Sequence, residues 1–153
     1  VFCNGRIGIR PARNYGDVKK EIMTTHTILI VSYIVFVWLV VLHTLEEIAC
    51  GIMELKIGHL QLTRNRYLLA ASALTTINLT VLMLIVPDIK AGYMLGLFTS
   101  AVLGVFQALV HTLGYLREGK KMRGLGVGFA SSIPLAAAGV VVFVLLFRAL
   151  LSQ

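Results

Sequence analysis

Four long apolar runs, separated by short polar stretches, dominate the chain. They cover about residues 27–48, 67–86, 91–116 and 124–151. A helix needs about 20 apolar residues to cross the hydrocarbon of a bilayer, and each run is long enough. The pattern predicts an all-α fold, a bundle of four transmembrane helices. The connections are short, so successive helices are expected as antiparallel neighbours. Pro87 closes the second run. Pro134 lies inside the fourth, where a membrane helix tolerates proline and a kink is expected.

Residues 1–22, VFCNGRIGIRPARNYGDVKKEI, break this pattern. Their polarity is mixed, and they lack the apolar core and cleavage site of a signal peptide. Two readings stand. In one, residues 1–22 are an extension, disordered or upstream of a true start at Met23, and residues 23–153 form the membrane domain. In the other, the segment is a cytosolic or interfacial arm.

Composition supports the membrane reading. Of the 153 residues, 58% are hydrophobic and 14% charged, against about 45–50% and 25% in soluble domains. The formal net charge is +7. The basic residues flank the apolar runs, so membrane lipids rather than nucleic acid are the expected partners. With residues 1–22 included, seven Lys and Arg fall on each side of the membrane. Counted from Met23, two face seven. The first and third connections are then cytoplasmic and both termini outside. Cys3 and Cys50 form no CxxC pair, so no zinc knuckle or dithiol motif is indicated.

Candidate chemistry sits at the end of the first run, in WLVVLHTLEEIACG, residues 38–51. Residues three and four apart share a helix face. His43, Glu46 and Glu47 therefore lie within an arc of about 100°, and Cys50 and Glu54 continue the stripe. Charge facing lipid costs about 2.5–3.5 kcal/mol per group at the bilayer centre, so the stripe is expected to face the bundle interior. The third run ends in FQALVHTLGYLREG and brings His111 to the same depth. Ser100, Gln107 and His111 share a face by α-helical periodicity, with Gly104 leaving room on it. The His111 imidazole is expected within about 8 Å of Glu46 or Glu47, a gap that one water or ion bridges. Asn78 is expected to face the same interior at greater depth. HTLEEIACG and HTLGYLREG also share HTL and a glycine, a faint repeat suggesting a two-plus-two duplication.

Two imidazoles and two carboxylates suit zinc or non-haem iron. The second helix supplies no acid, so a single ion is expected rather than a pair. His43, Glu47 and His111 are the candidate ligands, and Glu46 and Glu47 the candidate catalytic carboxylates. One glutamate would be a ligand and the other a general base in a hydrolase of lipid or peptide bonds. Two alternatives remain open. One is a haem-binding redox carrier using His43 and His111. The other is a non-enzymatic accessory or proton-transfer subunit. A plainer explanation stands beside all three: the glutamates reach headgroup water and His111 bonds a carbonyl. Asn78 and Gln107 count as further polar interior residues. His26 and His59 are expected to be solvated, and Cys50 to be a small packed residue. Gly92 and Gly96 form a GxxxG pair, a candidate contact for a homo-oligomer or membrane partner. Gly124, Gly126 and Gly128 lack the strand and lysine of a phosphate loop. They indicate close packing or a flexible helix start.

HTLEE, closing the first of four spans in a chain of this length, resembles the signature of the HXXEE family of small bacterial and archaeal membrane proteins. By that resemblance His43, Glu46 and Glu47 are the signature residues. It implies a prokaryotic inner-membrane location and brings no reaction with it. The Glu-Glu pair is also loosely similar to that of CAAX-type membrane proteases. Their arginine four residues after the pair and their further histidine motifs have no counterpart here.

Overall fold

A computed structural model describes residues 15–50, 56–57, 60–61, 63–119 and 126–152; the side chains of residues 15–23, 56–57 and 60–61 are outside this description. The chain is a four-helix protein. Helix α1 (Tyr15–Ala49) is followed by two antiparallel two-residue strands, β1 (Lys56–Ile57) and β2 (Leu60–Gln61). Helix α2 (Arg64–Ile85) leads through a tight turn into the third span. That span is α3 (Lys90–Thr99), a π-helical segment (Ser100–Phe106) and α4 (Gln107–Arg117). Helix α5 (Phe129–Leu151) completes it. Among the described residues, four stretches are long and apolar enough to cross a membrane: Thr24–Ala49, Arg64–Ile85, Lys90–Arg117 and Phe129–Leu151.

The spans follow the apolar runs, with two differences. Helix α1 begins at Tyr15, so residues 15–22 are helical and continuous with the first span. Residues 1–14 lie outside the described residues. The fourth helix starts at Phe129, later than the expected residue 124. Gly128 has φ +82°, a left-handed conformation that cannot continue a right-handed helix. Helix α5 continues through Pro134.

The core is a set of seams rather than a broad apolar layer. In α1 the buried seam runs through Leu29, Tyr33, Phe36, Val40, His43 and Glu47, with Val37 buried beside it. The seam positions alternate steps of four and three, the heptad spacing of helices packed side by side. In α5 the buried positions Ser132, Leu135, Gly139, Val142 and Leu146 follow the same rule. The two seams face one another in opposite directions. His43 and Glu47 are thus the last seam positions of α1, and they meet the beginning of α5. Residues off the seams, such as Trp38, Leu42, Met83 and Phe98, are exposed, as lipid-facing positions should be.

Hydrocarbon solvates apolar side chains as well as a core does, so membrane helices are held by close contact between small residues. Gly104 and Gly139 meet back to back; a Cβ on either would lie 2.8 Å from the Cα of the other. Gly92 fits against the Leu84–Ile85 backbone and Gly96 against Leu146 and Val81. The close approach allowed by the GxxxG pair is therefore made within the chain. At the α2–α3 turn, Asp88 adopts φ +61° and accepts a hydrogen bond from the Tyr93 hydroxyl. Asp is among the few non-glycine residues that tolerate this conformation.

Candidate metal centre

The ends of three spans and the start of α5 converge at one end of the bundle. His43 and Glu47 come from the end of α1 and His111 from α4. Tyr67 comes from the start of α2, and Gly128 and Ser131 from the start of α5. His43, Glu47 and His111 are 1%, 6% and 3% exposed. Burying a carboxylate is costly unless it is paired and hydrogen-bonded, and Glu47 is both. Its Oε1 lies 3.2 Å from His111 Nε2 and 3.7 Å from His43 Nε2. Its Oε2 accepts a 2.5 Å hydrogen bond from the Tyr67 hydroxyl.

The hydrogen-bond network assigns the protonation of His43. The Ser131 hydroxyl donates to the Gly128 carbonyl at 3.3 Å. Its oxygen is then the acceptor for His43 Nδ1–H at 2.7 Å. With the proton on Nδ1, Nε2 presents a lone pair to the centre. That atom lies 3.2 Å from His111 Nε2, and the two rings meet edge to face with centroids 4.8 Å apart. Gly128 closes over the group. A Cβ there would come 2.7 Å from His43 Cε1 and 3.4 Å from His111 Cε1 and Glu47 Cγ. Only glycine combines this φ with this contact. Beside it, Tyr115 stacks on Phe129 with centroids 4.4 Å apart, joining α4 to the start of α5.

Two nitrogens and one oxygen thus form a triangle with edges of 3.2, 3.2 and 3.7 Å. Tetrahedral zinc, with bonds of about 2.0–2.1 Å, has edges of roughly 3.3–3.4 Å. A point about 2.1 Å from all three atoms lies just above the plane of the triangle, as tetrahedral ligation requires. The residues fit one ion. His₂–carboxylate sets belong to zinc hydrolases and non-haem iron sites, and three protein ligands leave a position for water or substrate. Ser131 and Tyr67 supply the outer hydrogen bonds that hold such ligands in register.

The expected residues divide. His43, Glu47 and His111 come together, and the His111–Glu47 distance is well inside the expected 8 Å. Glu46 is half-buried and, among the described residues, its side chain joins none of these bonds. The seam steps from His43 by four, to Glu47, and leaves Glu46 at its edge. Gln107 is half-buried and also stays outside the network. The π segment, Ser100–Phe106, places more residues per turn than an α-helix, so the α-helical spacing drawn from Ser100 to Gln107 does not hold. Asn78 is buried and deeper, in a separate cluster. Tyr33 donates to Asn78 Oδ1 at 3.0 Å and lies 3.1 Å from Thr99 Oγ1.

Two expectations are corrected. His26 is half-buried rather than solvated. Its Nε2 lies 3.1 Å from the Ile85 carbonyl, one of the terminal acceptors that a helix leaves without an intrahelical partner. Cys50 is exposed rather than packed, because it follows the last helical residue of α1. Glu54 and His59 lie outside the described residues. A haem between His43 and His111 does not suit the geometry. Bis-imidazole ligation holds the two nitrogens ~4 Å apart across a porphyrin. Here they are 3.2 Å apart, with Gly128 packed against both rings.

Tyr67 and Ser131 were not singled out by the sequence. Tyr67 opens a span, where aromatic residues commonly sit at the interface. Ser131 stands in a run of small residues. A polar residue at the same membrane end as the histidines was the available signal. No known family, curated protein or solved structure matches this chain.

Proposed function

We propose that this integral membrane protein binds one zinc or ferrous ion through His43, Glu47 and His111, and that it hydrolyses an ester or amide bond at the membrane surface. The observation that carries the reading is the triangle of three donor atoms, buried and held by Tyr67 and Ser131. The bound ion would polarise a carbonyl and lower the pKa of water in its open position. The chain's own residues would do the rest. Glu46, one turn from His43, would accept the proton of the attacking water and return it to the leaving group. Gly128 and the stacked Tyr115–Phe129 pair would limit access of bulk water. The HTLEE resemblance and the basic first and third connections favour a bacterial or archaeal inner membrane, with this end of the bundle at the cytoplasmic leaflet.

Elemental analysis of the purified full chain tests the ion. A single zinc or iron per chain is expected, lost in a His43→Ala/His111→Ala variant. No metal in the wild type, or the same metal in that variant, overturns the reading. Glu46→Gln is expected to keep the ion and slow turnover by roughly 10²–10⁴-fold.

One observation favours a second reading. The chain Glu47–His111–His43–Ser131 is continuous in hydrogen bonds and is also suited to relaying a proton in a non-enzymatic subunit. That reading expects Glu47→Gln to block proton flux in proteoliposomes that contain no metal.

A further inference from the structure

A groove of about 320 Å³ lies between α2 and the third span, well below the metal centre. Leu74 and Ile77 form one wall; Leu95, Phe98 and Leu103 form the other. Leu74, Ile77, Leu95 and Phe98 are all exposed, so the groove opens sideways, at hydrocarbon depth. Three threonines line it, Thr76, Thr80 and Thr99. Each hydroxyl already donates to a carbonyl of its own helix, at 2.9, 2.9 and 3.1 Å. What they offer an occupant is methyl groups. The groove is therefore built for a hydrocarbon chain, and a peptide would find no donor there for its backbone.

The groove lies along the two spans that carry Tyr67 and His111. Leu74 is seven residues from Tyr67, about 10 Å along the helix, and Leu103 is eight from His111, about 12 Å. Over that interval the third span parts from α2 and keeps α5. Helix α3 packs along both α2 and α5, whereas the π segment and α4 pack chiefly along α5. Tyr67, about two turns before Leu74 on α2, donates to Glu47 of the centre. Arg64 opens α2 and Arg117 closes α4, both exposed and at the same membrane end as the centre. Basic residues at that depth meet lipid phosphate.

We propose that the groove holds an acyl chain of one anionic glycerophospholipid, its headgroup at Arg64 and Arg117, and that this lipid is the substrate class presented to the centre. Lipid binding stands on the groove alone; the word substrate rests on the metal-hydrolase reading above.

Native mass spectrometry of the delipidated full chain, titrated with dioleoyl phosphatidylglycerol, tests the binding. One adduct per chain is expected, at several-fold lower concentration than with dioleoyl phosphatidylcholine. Leu74→Trp and Ile77→Trp, which fill the groove from its open side, are each expected to weaken it about tenfold while metal content is unchanged. Arg64→Gln/Arg117→Gln is expected to abolish the preference for phosphatidylglycerol. Equal binding of the two lipids, equal binding of free oleate, or no change in both tryptophan variants overturns the proposal. A phosphatidylglycerol with a photoreactive acyl chain gives a readout on the unaltered protein. Labelling confined to residues 74–80 and 95–103 supports the groove, and equal labelling of the exposed α1 face around Trp38 and Leu42 overturns it. Lipid bound by a chain that takes up no metal would leave the groove standing and remove the hydrolase. Metal taken up by a chain indifferent to phosphatidylglycerol would do the reverse.

Discussion

Two buried polar clusters tie this bundle together, and they differ in kind. The deeper one joins Tyr33, Asn78 and Thr99 across α1, α2 and α3. Its members are neutral, and they close on themselves and on helix carbonyls: Asn78 Nδ2 on Leu74, Thr99 on Gly96. The outer one joins Glu47, His43 and His111, and its hydrogen bonds run the other way. Ser131 and Tyr67 occupy the far sides of His43 and Glu47, which leaves lone pairs converging on a common point. The first arrangement satisfies polar groups so that three helices keep register. The second aims polar groups at something else. Polarity inside a membrane is therefore not enough to mark a site; the convergence of donor atoms on one point is.

The largest effects should separate the clusters most sharply. His43→Ala/His111→Ala should take bound metal from stoichiometric to background, whereas Tyr33→Phe and Asn78→Ala should leave it unchanged, by elemental analysis. Metal loss in the deep variants would erase the distinction. Next come the supporting bonds. Tyr67→Phe and Ser131→Ala should each weaken metal binding by roughly 10–100-fold, measured by competition with a chromogenic chelator. Equal affinity in both would mean that the ligands hold themselves. Gly128→Ala should cost at least about 1–2 kcal/mol, the strain of a left-handed side chain, before the clash with His43 is added. Unfolding in mixed micelles would read it. The smallest effect belongs to the deep cluster. Tyr33→Phe should destabilise by roughly 0.5–1.5 kcal/mol, in the same assay and without a change in metal affinity.

The spans were legible because hydrocarbon imposes one rule over 20 residues at a time. His43, Glu47 and His111 were legible for a related reason: ionisable groups in such spans must turn inward, and parallel spans place them at one depth. What the sequence withheld depends on how helices are rotated against each other. Glu46 and Glu47 are equivalent by composition and nearly so by angle. Only the heptad seam shared with Leu29, Tyr33, Phe36 and Val40 selects Glu47. Nothing in SAVLGVF announces a π turn, yet that turn breaks the α-helical spacing from Ser100 to Gln107. The role of Ser131 depends on Gly128 stopping the helix just before it, which a glycine-rich stretch left open to several explanations.

X-ray absorption at the zinc edge, on the zinc-loaded full chain in detergent, tests the central claim most directly. Two imidazole nitrogens and one carboxylate oxygen at about 2.0–2.1 Å, with the imidazole signal lost in His43→Ala/His111→Ala, is the expected result. A shell of oxygen alone, a sulfur at about 2.3 Å, or no zinc retained above background would contradict it.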